Sequence, residues 1–101
     1  MQTPEASEAP LRRRRRSGIT PRRVDSIPDD LEDGILYISH KYQVAVHLCC
    51  CGCGGEVVTP LDHEGWHLTE ENGATLSPSI GNFSFPCRSH YFIRRNRVEW
   101  C

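Results

Sequence analysis

The stretch Val44-Ala45-Val46-His47-Leu48-Cys49-Cys50-Cys51-Gly52-Cys53-Gly54-Gly55-Glu56-Val57-Val58-Thr59 decides the fold. Two apolar, β-branched runs, Val44–Cys49 and Glu56–Thr59, flank a turn that holds four cysteines and three glycines. Runs of that composition bounded by turn residues predict strands, and Pro60 halts the second one. The glycines let the backbone wrap tightly and bring amide N–H groups toward the sulfurs. The local product is a β-hairpin with cysteines at its tip.

The same pattern continues on both sides. Ile35–Ser39 (ILYIS) predicts a strand before the hairpin. After it, Trp66–Thr69 and Ala74–Ser77 flank Asn72-Gly73, a strong local turn signal, and predict a second hairpin. Tyr91–Arg94 and Arg97–Trp100 predict a third across Arg95-Asn96, and Pro78–Pro86 (PSIGNFSFP) reads as a loop with aromatic anchors. No helical period runs for about 11 residues, and no repeat recurs at a fixed period. The predicted fold is mostly β: a small zinc-stabilised β-hairpin fold behind a disordered, Arg-rich N-terminal tail.

The tail is legible in the charge. The net charge of −1 divides into +4 over Met1–Pro28 and −5 over Asp29–Cys101. The first part carries Arg12–Arg16, Arg22 and Arg23, four prolines and no aromatic residue. Such a segment buries too little apolar surface to offset its ordering entropy. Residues 1–26 are therefore read as a disordered basic tail and 27–101 as the zinc-binding β domain. Arg12–Arg16 suit a phosphate or nucleic-acid contact. A solvated tail without a partner and an over-long gene start are the competing readings.

At 101 residues and 11.5 kDa the chain is too short for a doubly wound nucleotide fold or a barrel enzyme. No apolar run approaches the roughly 20 residues of a membrane-spanning helix. Met1–Pro10 carries Glu5 and Glu8 and no apolar h-region, so no secretory signal is read there, and a cytoplasmic location is expected. Cys101, with nothing after it, does not fit a prenylation motif. Oligomeric state is left open by the sequence.

A domain of about 75 residues usually needs a staple. Cys49, Cys50, Cys51 and Cys53 lie too close together to bridge one another, and only Cys87 and Cys101 lie elsewhere. Disulfides are therefore disfavoured. Structural zinc takes four Cys or His ligands in a tetrahedron. The glycine-rich turn offers Cys49, Cys51 and Cys53, and Cys87-Arg88-Ser89-His90 offers a Cys-x2-His pair. The favoured set is Cys51, Cys53, Cys87 and His90, with Cys49 as first substitute; His47 is a more distant candidate. Strand alternation puts His47, Cys49 and Cys51 on one face and Cys50 on the other, which argues against Cys50. Such a site provides roughly 10–16 kcal/mol of apparent binding free energy coupled to folding, against about 3–5 kcal/mol from a core of this size.

Catalytic readings are weaker at this level. His63-Glu64 could serve an open zinc but lacks helical His-Glu-x-x-His spacing. A spared Cys49 or Cys50 could act as a nucleophile. Ser89 beside His90 is not read as a catalytic pair, because His90 is assigned to the metal. His40 reads as a surface turn residue and His67 as an ordinary strand residue. Trp66, Phe83, Phe85, Tyr91, Phe92 and Trp100 could stack bases, but a fold this small needs them as its core.

The assembled motifs, HLCCCGCGG, VVTPL and PSIGNFSFPCRSHY, resemble a bacterial domain-of-unknown-function family of small Cys-rich proteins, over about Ile27–Trp100. The resemblance implies a metal site at the positions of Cys49, Cys51, Cys53, Cys87 and His90, while position 50 varies. Phe83 and Phe92 stand where many members have Trp. Similar proteins occur beside genes for ubiquitin-like modifiers and their conjugating enzymes. That implies protein partners in a ubiquitin-like pathway and an accessory or adaptor role. An enzyme acting on thioester, peptide or isopeptide bonds is the alternative.

Overall fold

The computed structural model describes residues 15–101. Its regular structure is all strand: β1 Thr20–Arg23, β2 Ile35–Ser39, β3 Val44–Leu48, β4 Glu56–Pro60, β5 His67–Thr69, β6 Thr75–Gly81, β7 His90–Arg94 and β8 Arg97–Trp100. The expected mostly-β fold is what forms. Two four-stranded sheets run in the orders β1-β2-β3-β4 and β5-β6-β7-β8. All pairings are antiparallel except β1 with β2.

One apolar core joins the sheets. Leu36, Ile38, Ala45 and Val57 of the first meet Leu76, Ile80, Tyr91, Ile93 and Val98 of the second, with Cys49 and Cys50 in the same buried cluster. Alternation explains β4, whose Val57 and Thr59 are buried while Glu56, Val58 and Pro60 are exposed. In β2 both faces are covered. Tyr37 is buried too; its hydroxyl accepts from the Glu32 amide at 2.9 Å.

The ordered fold begins before the expected boundary at residue 27. Ile19 is buried in the core, and β1 pairs in parallel with β2 from Thr20↔Ile35 to Arg23↔Ile38. The segment ahead of β1 straps the two sheets together. The Val98 amide donates to the Ser17 carbonyl at 2.9 Å, the Ile19 amide to Asn96 at 2.8 Å and the Thr20 amide to Gly34 at 2.8 Å. Charge and proline content conceal this order, because the strap is held by backbone groups and a single isoleucine. The part of the tail expectation that covers residues 1–14, with Arg12–Arg14, lies outside the described residues. Arg15 stacks over the Trp100 ring at 4.2 Å and Arg16 pairs with Asp33 at 3.3 Å.

The other departure is β6. It continues through Pro78-Ser79-Ile80-Gly81, where the sequence reads as a loop. The register against β7 slips between Leu76↔Ile93 and Ile80↔Tyr91, so four steps along β6 match two along β7. Such bulges bend a strand and re-aim its side chains. Leu76 and Ile80 stay in the core, while Ser79 is partly exposed.

Candidate functional site

The site has two adjoining parts: a sulfur cluster and a serine–histidine pair. The cluster forms where the β3–β4 turn meets the loop leading into β7. Sγ atoms of Cys49, Cys51, Cys53 and Cys87 all lie within 4.8 Å of one another. Individual separations are 3.5 Å for Cys49–Cys51, 3.8 Å for Cys49–Cys87 and 3.7 Å for Cys53–Cys87. A tetrahedron with metal–sulfur bonds of about 2.3 Å has edges of about 3.8 Å. The donor set therefore fits a tetrahedral thiophilic ion.

Backbone turns hold this geometry. The Cys49 amide donates to the Gly55 carbonyl at 2.7 Å and the Gly52 amide to Cys49 at 3.1 Å. Gly52 and Gly54 sit at φ 93° and 86°, where a side chain is strained. Gly55 carries the Phe85 ring so closely that an added Cβ would stand 2.8 Å from it. The Gly55 amide donates to Cys53 Sγ at 3.4 Å.

A polar shell backs the cluster. Ser89 Oγ lies 3.0 Å from Cys49 Sγ and 3.4 Å from Cys87 Sγ. The Asn82 side-chain amide donates to Ser89 Oγ at 3.0 Å and to Cys49 Sγ at 3.6 Å. Burial opposes the Cys87 thiolate, but hydrogen bonds from Ser89 and from the Cys51 and Cys53 thiols outweigh it and bring the group down to about 7. Burial pushes Cys51 and Cys53 up.

The remaining sulfurs stand apart. Cys50 is fully buried, its amide donating to the Tyr91 hydroxyl at 3.3 Å, and burial above all raises its thiol to about 12. Cys101 is exposed and away from the cluster. His47, also fully buried, holds the Tyr91 hydroxyl at 2.7 Å through Nε2 while Nδ1 has no partner among the described residues. Burial lowers its pKa to about 4.

The expected Cys87–His90 pair is divided. Arg88, at φ 49°, turns the chain between them. Cys87 joins the sulfurs, whereas His90 opens β7 and places Nε2 2.8 Å from Ser79 Oγ. Ser79 comes from the bulged part of β6, where Gly81 is opposite His90. The Trp66 indole N–H donates to the Ser79 carbonyl at 3.3 Å and steadies the bulge. Among the described residues no carboxylate bonds His90. Ser89, the serine next to His90 in sequence, is occupied by the sulfurs and Asn82. His40 pairs with Glu70 at 2.9 Å, and His63 and Glu64 are exposed, 4.0 Å apart.

A hydroxyl within hydrogen-bond reach of an imidazole is one part of an activated serine nucleophile, whose base is in turn oriented by a third group. The chain matches, over residues 23–101, the family model described as the bacterial ubiquitination-like system serine protease, BubE. It belongs to the BubE family. The BubE match takes in both sheets, the four clustered cysteines, Ser79 and His90. It ties the chain to a bacterial ubiquitin-like system, and it begins inside β1. No curated protein and no solved structure was found to match. Ser79 escapes sequence reasoning because its neighbour in space is eleven residues away across an irregular strand pair. The signal that could find it is the Pro78-Ser79-Ile80-Gly81 alternation, which continues the preceding strand.

Proposed function

We propose that the protein is a zinc-stabilised serine hydrolase that cleaves peptide or isopeptide bonds in a bacterial ubiquitin-like pathway, with Ser79 as nucleophile and His90 as its base. The observation that carries this reading is the 2.8 Å contact between Ser79 Oγ and His90 Nε2. The serine-protease description of the BubE family supports it.

In the reaction, Ser79 Oγ attacks the scissile carbonyl carbon as its proton passes to His90 Nε2. When the tetrahedral intermediate collapses, the C–N bond breaks and the imidazolium gives that proton to the leaving amine. Water then attacks the acyl-serine ester, losing a proton to His90, which returns one to Ser79 Oγ as the acid is released. This cycle needs Nε2 as acceptor and the proton on Nδ1. Cys49, Cys51, Cys53 and Cys87 would hold zinc with four protein ligands, and the ion would supply folding energy. A reduced thiol cluster of this kind belongs in a reducing compartment such as the cytoplasm.

Two measurements test the reading. A fluorophosphonate probe should label Ser79, and Ser79→Ala and His90→Gln should each reduce hydrolysis at least a hundredfold. Metal analysis should give one zinc per chain, lost in Cys49→Ser, Cys51→Ser, Cys53→Ser and Cys87→Ser and retained in His90→Gln. Loss of zinc in His90→Gln would return His90 to the ligand set and remove it as a base. An adaptor role is the second reading, favoured by Val58, 54% exposed on the edge strand β4. Undiminished pathway activity of Ser79→Ala would support that role and sink the hydrolase.

A further inference from the structure

Phe83 is a large aromatic beside the serine–histidine pair that stands outside the apolar core. It is 56% exposed. The ring lies on Gly81, where an added Cβ would stand 2.5 Å from Phe83 Cε2. Its edge meets the His90 imidazole, with ring centroids 5.3 Å apart at 63°. The loop that carries it is anchored on both sides. The Asn82 amide donates to the Ser89 carbonyl at 2.8 Å and the Phe85 amide to the Asn82 carbonyl at 3.0 Å. Phe85, two residues on, packs against the core. Phe83 thus rests against Gly81 and His90 with the rest of its ring exposed.

Its place along the chain matters. Ser77 and Pro78, just before Ser79, line a cleft of about 630 Å³ together with Trp66, Leu61 and Leu68. That volume falls in the range of peptide- and ligand-sized sites. Phe83 follows Ser79. The Phe83 ring, in edge contact with His90, is placed to meet a substrate residue next to a bond held at Ser79 Oγ and His90 Nε2.

We infer that Phe83 is a specificity-determining platform for an apolar side chain next to the scissile bond of an extended peptide segment. The inference rests on the hydrolase reading and adds its substrate class. A side chain at position 81 would displace the Phe83 ring from this place beside His90, since an added Cβ would stand 2.5 Å from Cε2.

The test uses the full, zinc-loaded chain and two sets of fluorogenic peptides in which Leu replaces Gly at the residue on either side of the cleaved bond. The wild type should prefer Leu over Gly on one side by about tenfold or more, the range a single apolar contact supplies. In Phe83→Ala that ratio should fall to near one, and in Phe83→Trp it should survive. A Leu/Gly ratio unchanged in Phe83→Ala, or no preference in the wild type, overturns the platform while leaving Ser79 and His90 in place. Cleavage that persists in Ser79→Ala overturns the hydrolase reading and the platform with it.

Discussion

At the scale of single residues, burial decides which groups take part in chemistry. Cys50 neighbours the cluster in sequence, but its thiol is buried and raised to about 12. It should resist alkylation by iodoacetamide in native protein at pH 8, and Cys50→Ala should keep the full zinc content at a stability cost of about 1 kcal/mol. His47 gives a pH prediction. Its folded pKa of about 4 lies below the ordinary 6.5 because burial penalises the charged ring. The unfolded chain therefore binds the extra proton. The stability attached to a neutral His47 is complete above pH 6.5 and is lost as the pH falls through that value toward 4. The shift corresponds to about 3 kcal/mol. Urea titrations across this window should show a shallower acid-side decline in His47→Leu than in wild type; equal slopes would refute the assignment.

At the scale of elements, two irregularities bring the chemistry together. The glycine-rich turn wraps the first three sulfurs, and its last glycine seats Phe85. Gly55→Ala should overpack that contact, lowering stability by about 1–3 kcal/mol and speeding zinc loss to a chelator such as the dye PAR. The β6 bulge delivers Ser79 to His90. The turn was readable in the sequence because its four cysteines and three glycines lie within seven consecutive residues, where local spacing nearly equals spatial proximity. The bulge was not. Its consequence depends on which β7 residue faces which β6 residue, and a two-residue slip leaves no mark in apolar alternation. His90 illustrates the limit: Cys-x2-His spacing suggests a shared ion, but the left-handed Arg88 sends the imidazole elsewhere. The strap at Ser17–Thr20 was hidden for a related reason, since backbone hydrogen bonds carry no residue signature.

At the scale of the whole molecule, the sulfurs join the two sheets. Cys49, Cys51 and Cys53 belong to the turn between strands of the first, and Cys87 leads into the second. At the opposite end of β3 from the sulfurs, the Arg23–Glu70–His40 ion pairs tie β1 and the β2–β3 turn to the segment between β5 and β6. Burial raises the Glu70 carboxyl, but Arg23 and His40 more than offset it and hold the group below its usual range. Exposed pairs of this kind contribute about 0–1 kcal/mol, far less than a structural zinc. Chelation should therefore lower the melting temperature by more than 10 °C and abolish the proposed hydrolysis, with far-UV and near-UV circular dichroism lost together. Retention of the near-UV signal would show that the core holds the sheets without the ion.

The order of the ligands along the chain bears on how the protein is made. Three sulfurs leave the ribosome as a cluster of open thiols, and the fourth follows only after a further 34 residues. Ser79 emerges in that interval, whereas His90 emerges after Cys87. Until Cys87 arrives, the nascent chain can hold an ion only incompletely and has no base beside its serine. On the proposed reading, vectorial synthesis therefore completes the ion site and the serine–histidine pair only in the last stretch of the chain to emerge.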